Sequence, residues 1–266
     1  MDENEFLASC ALRLVRVIEL QREVIDAALS HPAHWRGPLR RELAGRPADD
    51  AERAAQARVF DWLGSTATGD VALDEALLLD THRRLVGGDG GYRTSGITIG
   101  GQPVAHPPSA HVADMTQQAL RRAGDGSEPP VLASARLHLE LALIHPFVDG
   151  NGRTARLMAS SVLMRAGHRS TLLTAVEQHT CWHPSSYRRS FVQLREGTGS
   201  VATWTWLNQA LGAMALSSQL AAWHRSDRST LAERTTRMPV DSQGRDALAF
   251  QLRRLRAEER DDAGHG

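Results

Sequence analysis

The sequence predicts an all-α fold, a helical bundle carrying one short β-hairpin flap. Two observations lead there. Apolar residues recur at helical spacing through most of the 266 residues. Only one stretch, Tyr92 to Val104, gathers β-branched residues in a strand-like texture. The length suits one large helical domain or a core with extensions, and is ample for a buried interior.

The elements follow in order. Leu7, Ala11, Leu14, Val15, Ile18 and Ile25 predict a helix over the first thirty residues, interrupted at His31-Pro32. Arg36 to Ala57 is polar, punctuated by Gly37-Pro38 and Arg46-Pro47, and reads as a loop or short helices. Val71 to Leu85 returns to helical spacing, with Asp80 as a polar break. A glycine cluster at Gly87–Gly91 then leads into the strand-like stretch, where Thr94, Ile97, Thr98, Ile99 and Val104 surround Gly100-Gly101. Further helices are predicted over Ala110–Ala123, Val131–Ile144, Thr154–Arg165, Tyr187–Leu194, Trp204–Leu216 and Gln219–His224, and a charged one over Asp246–Arg260. Trp204 and Trp206 read as core aromatics.

Composition excludes several chemistries. The chain has no lysine, so its 31 basic residues are all arginine. A Walker-A loop, a protein-kinase fold and Schiff-base chemistry all need a lysine amine. Phosphate must therefore be handled by arginine, backbone N–H groups and metal. The net charge is zero, which argues against broad nucleic-acid binding. Two distant cysteines, Cys10 and Cys181, make no disulfide framework. With no apolar run of membrane length and an acidic start, MDENEFLASC, the expectation is a soluble cytoplasmic protein without a membrane partner.

Residues 145–156, His-Pro-Phe-Val-Asp-Gly-Asn-Gly-Arg-Thr-Ala-Arg, gather the chemistry. Pro146 stops the preceding helix and leaves the His145 imidazole at a helix end, facing a cleft. Phe147 anchors the loop in the core. Gly150 and Gly152 permit backbone geometries closed to other residues and allow a ligand close approach. Their N–H groups can form an anion nest beside the start of the next helix, where the dipole also attracts phosphate. Arg153 and Arg156, three apart, share a helix face and match a polyphosphate tail. Asp149 supplies a hard oxygen ligand suited to Mg²⁺. This inventory suits phosphoryl-type transfer, where positioning and charge stabilisation supply most of the catalysis.

The segment resembles the signature of the Fic family, H-P-F-x-(D/E)-G-N-G-R-x-x-R, at every defined position. Gly91-Tyr92-Arg93, Ile97, Ile99 and Pro107-Pro108 are similar to the family's flap and its exit. Tyr187–Leu194 and Trp204–Leu207 are similar to the helices that close its core. The resemblance covers roughly residues 70–212 and implies a Fic-type bundle there; the flanks have no specific match and are read from their helical patterns as an N-terminal helical extension over 1–69 and a C-terminal helical tail over 213–266. It implies transfer of AMP from ATP·Mg²⁺ to a Ser, Thr or Tyr hydroxyl of a target protein, with release of pyrophosphate. His145 would be the general base and Asp149 the Mg²⁺ ligand. Asn151 and the N–H groups around Gly150 and Gly152 would hold the α-phosphate. Arg153 would hold the β-phosphate region and Arg156 the γ-phosphate. The flap residues Thr94, Gly96, Ile97 and Ile99 would pair with target backbone.

Phosphotransferase relatives of the Doc type carry Lys where this chain has Gly152, and phosphocholine-transferring relatives carry Ala where it has Gly150. Both departures are absent here, which favours ATP and AMP transfer. Another nucleotide donor, a small-molecule acceptor, and a non-catalytic nucleotide-binding module remain alternatives. Many relatives are restrained by a helix of pattern (S/T)-x-x-x-E-(G/N), whose glutamate meets the second motif arginine. The nearest segment here is Ser229 to Glu233, followed by Arg234 instead of Gly or Asn. A brake at Glu233, a separate antitoxin-like partner and no brake are the three readings open at this point.

Overall fold

The computed structural model describes residues 2–28, 50–67, 71–99, 102–103, 107–168, 191, 194 and 200–223. Among them are seven helices: α1 (Glu3–Ala28), α2 (Asp50–Ala67), α3 (Glu75–Val86), α4 (Ser109–Gly124), α5 (Pro130–Ile144), α6 (Asn151–Arg165) and α7 (Ser200–Trp223). The strands β1 (Thr98–Ile99) and β2 (Gln102–Pro103) lie between α3 and α4. They pair antiparallel, with Thr98 opposite Pro103 and Ile99 opposite Gln102. The bundle is helical, as the sequence predicts.

The helix α5 is the axis of the bundle. It is apolar nearly all round, which is the pattern of a helix buried on every side. One of its faces sends Leu137, Leu141 and Ile144 into a cluster with Leu77, Leu78, Leu120, Phe147, Leu157 and Met158. Another sends Val131, Leu132, Ala135 and Leu139 into a second cluster, with Ala11, Val15 and Ile18 of α1 and Trp206, Leu207 and Met214 of α7. Fully burying one such aliphatic side chain is worth about 1.5–3 kcal/mol. The two clusters thus clamp α5 from both sides, and the loop that follows it starts from a rigid post. Trp206 is fully buried, and Trp204 packs beside it under the Arg136 guanidinium, so both are core aromatics.

Several sequence expectations are corrected. The helix expected from Val71 begins at Glu75, because Asp74 caps it: its Oδ1 accepts the Leu77 N–H at 3.0 Å from an extended backbone. The expected polar break at Asp80 is a surface acid paired with Arg83 and Arg84. The polar stretch expected as a loop or short helices enters α2 at Asp50, and that helix continues to Ala67, longer than expected. Val59 and Leu63 of α2 join the first cluster, and Arg84 lies 4.2 Å above the Trp62 ring. The segments Trp204–Leu216 and Gln219–His224 belong to one unbroken helix as far as Trp223. The helix expected from Thr154 starts three residues earlier, at Asn151, inside the glycine-rich loop.

Candidate active site

The site is the turn from α5 into α6. The chain leaves α5 at His145, whose backbone is left-handed (φ 53, ψ 64), the one non-glycine residue with positive φ among those described. Its N–H donates to Leu141 O at 2.9 Å, the last bond of the helix, and Pro146 cannot continue the ladder. The imidazole Nδ1 lies 3.3 Å from Ala142 O. A carbonyl only accepts, so Nδ1 carries the proton in this contact, and the tautomer that makes it has its lone pair on Nε2.

Phe147 plugs the loop into the core, fully buried, as the sequence predicts. The Asn151 side chain then closes the loop on itself. Its Oδ1 accepts the Phe147 N–H, and its Nδ2 donates to Phe147 O, both at 2.8 Å. Each end of the amide uses one of its two hydrogen-bonding capacities in this pairing.

Gly150 is the N-cap of α6, with φ 74, and no side chain caps the helix. A Cβ at Gly150 would stand 2.5 Å from Val86 Cγ2, so only glycine fits there. Gly152 differs from expectation. It lies in the first helical turn with ordinary φ, and a Cβ there would stand 3.3 Å from Arg156 Nη1, the end of a flexible side chain that would have to give slightly. Asn151, Gly152 and Arg153 thus occupy the first helical turn, where N–H groups have no intrahelical acceptor and the dipole is positive. A helix start of this geometry suits an anion such as phosphate.

Two side chains unmarked by the motif complete the site. His82 of α3 stacks on Phe147, with centroids 3.7 Å apart and planes 7° from parallel, and its Nε2–H donates to Asp149 O at 3.0 Å. Burial lowers its pKa, against the opposing pull of that carbonyl and the Asp149 charge, so the ring is neutral at neutral pH. Glu52 of α2 places Oε1 2.9 Å from Arg153 Nη1, while Asp149 Oδ2 lies 3.4 Å from Arg153 Nη2. Both His82 and Glu52 are remote from the motif in sequence and belong to no pattern around it; only tertiary contact reveals them.

Asp149 is 76% exposed at the mouth of the turn. Among the described residues no three His, Cys, Asp or Glu side chains are grouped to hold a metal ion. A single open carboxylate fits Mg²⁺ that arrives with phosphate oxygens completing its shell. Of the expected flap residues, Thr94 and Gly96 are exposed and Ile97 is half-buried. Ile99 lies in β1. Ser229 and Glu233 lie outside the described residues, as do the C-terminal helix expected over Asp246–Arg260 and most of Tyr187–Leu194.

Comparison with known proteins agrees with this geometry. Residues 72–163 match the model of the Fic/DOC family. Over those residues the chain is similar to the Fic/DOC family. It is 33% identical over 112 residues to the protein adenylyltransferase Fic of Drosophila ananassae, covering 40% of this chain and 22% of that protein. The Drosophila virilis protein of the same name is 34% identical over 112 residues, with 40% and 23% covered. The chain thus spans about a fifth of the length of these relatives. A Fic family protein from Desulfovibrio desulfuricans G20 shares the fold, with a TM-score of 0.61 at 22% identity over 90% of this chain and 84% of that one. Fic-1 from C. elegans does so at 0.55 and 18% identity, over 84% and 76%.

Proposed function

We propose that this chain is a protein adenylyltransferase that moves AMP from ATP to a Ser, Thr or Tyr hydroxyl of a target protein. The observation that carries the reading is the pairing of a left-handed His145 with the uncapped start of α6 just beyond Phe147. Nε2 of His145 takes the hydroxyl proton. The oxygen attacks the α-phosphorus, the bond from that phosphorus to the bridging oxygen breaks, and pyrophosphate leaves. The N–H groups from Gly150 to Arg153, with the outer N–H of Asn151, hold the α-phosphate and its developing charge. Arg153 takes the β-phosphate region and Arg156 the γ-phosphate. Asp149 holds the Mg²⁺ that comes with the nucleotide. The backbone edge at Thr94, Gly96, Ile97 and Ile99 receives the target as an added strand. Among the described residues no helix is long and apolar enough to cross a membrane; a cytoplasmic setting is part of this proposal. So is restraint by Glu233 or by an antitoxin-like partner, which Glu233→Gly separates: higher activity places the brake in this chain.

The test is donor labelling. Target-bearing lysate is incubated with the protein and ATP labelled at the α- or the γ-phosphate. Label carried over from the α position only, with pyrophosphate released, is the expected result. Label carried over from the γ position replaces the reading with phosphate transfer.

A further inference from the structure

We infer that Arg93 is a positioning residue that ties the His145 backbone and both ends of the flap to one buried guanidinium. Arg93 is only 3% exposed. Its Nε donates to His145 O at 2.8 Å, its Nη1 to Ser95 O at 3.0 Å, and its Nη2 to Pro107 O and, at 3.3 Å, to Ile144 O. Its own N–H donates to Pro146 O at 2.9 Å. Three successive carbonyls, Ile144 to Pro146, are therefore held by this one residue. Ile144 O and His145 O are orphan acceptors at the end of α5, where the dipole is negative and a cation is favoured, and Pro146 O lies just beyond them.

This geometry answers two questions. The left-handed region is sterically disfavoured for any residue with a Cβ, so something must hold His145 there. The bonds from Arg93 to the carbonyls on either side of it, and to its own, supply the restraint. The flap must also keep a fixed relation to the imidazole if a docked hydroxyl is to meet Nε2. Ser95 and Pro107, the two ends of the flap, are bonded to the same guanidinium that holds His145. Lysine could not replace it, because its ammonium is a point donor without the planar fork that reaches several segments at once.

The inference rests on the reading of His145 as the base, and its test separates the two. On the wild-type chain, NMR should find the Arg93 Nε–H slow to exchange, unlike the Nε–H groups of exposed arginines. In Arg93→Lys, the His145 backbone resonances should move and amide exchange should rise at residues 94–97, while Mg·ATP affinity stays within about threefold and kcat for AMP transfer falls about a hundredfold. Arg93→Gln serves if the lysine variant does not fold. A rapidly exchanging Arg93 Nε–H in the wild type, or His145 and flap signals unchanged in a folded variant, overturns the inference. Absence of AMP transfer by the wild type would strike the proposed function alone, because the NMR readouts do not need turnover.

Discussion

The Glu52 carboxylate stands 2.9 Å from Nη1 of Arg153, so a helix from the N-terminal part of the chain reaches the arginine that the proposed reaction assigns to the β-phosphate. The Glu52 side chain is 43% exposed, and pairs of this kind are worth about 0–1 kcal/mol. In the proposed complex Glu52 would therefore compete with phosphate only weakly. Glu52→Gln should tighten Mg·ATP binding by up to about fivefold, with a smaller gain at high salt, as read by calorimetry. Unchanged or weaker binding would show that Glu52 orients Arg153 without competing.

Gly150 makes a sharper prediction. Alanine there meets two obstacles, the positive φ and the 2.5 Å approach to Val86 Cγ2. Gly150→Ala should lose about 1–3 kcal/mol of stability in urea unfolding and weaken nucleotide binding. Adding Val86→Ala should recover the steric part and leave the backbone part. No recovery in the double variant would assign the whole cost to the backbone.

Asn151 holds Phe147 through both of its backbone polar groups. Asn151→Leu leaves a buried N–H and a buried carbonyl unpaired, at a cost of about 2 kcal/mol or more. Asn151→Asp keeps the acceptor but sets a carboxylate against Phe147 O, so it should rescue little. Thermal unfolding of the two variants checks this order.

Stability should also depend on pH through His168. Burial, helped by the nearby Arg22 charge, pushes its pKa down to about 4 from the ordinary 6.5. The Glu19 carboxylate, 3.4 Å from Nε2, is itself paired with Arg22 at 2.9 Å and offsets little of this. The unfolded chain binds this proton more readily, so the contribution is complete above about pH 6.5 and is lost as pH falls toward 4. The slope from this one group is at most about 1.4 kcal/mol per pH unit. His168→Gln should remove that component of the slope between pH 4 and 6.5. The same slope in both proteins would contradict it.

The sequence made the turn legible because its signals are local. Pro146 ends a helix, Phe147 is the one large apolar residue of the loop, and Gly150 marks a backbone that L-residues avoid. The start of α6 was less legible. Its apolar stripe begins beyond Thr154, while Asn151, Gly152 and Arg153 carry no periodicity, yet they form its first turn. The extent of α2 was legible only in part, as a loop or short helices within a helical extension: its first turns, Asp50 to Gln56, are polar, and Val59 and Leu63 show their purpose only against α3 and α6. The contributions of Glu52, His82 and Arg93 come from contacts across the bundle. A single sequence marks no such partner, because the acceptors for His82 and Arg93 are mostly backbone carbonyls that any residue could supply.

In the proposed reaction, His145 drives AMP transfer from a nucleotide cradled at the start of α6. The decisive experiment is α-labelled ATP with wild type and His145→Ala, alongside calorimetry of Mg·ATP. Transfer should fall by about 10²-fold or more in the variant while nucleotide affinity is kept. Equal labelling by the two proteins would contradict the role of His145.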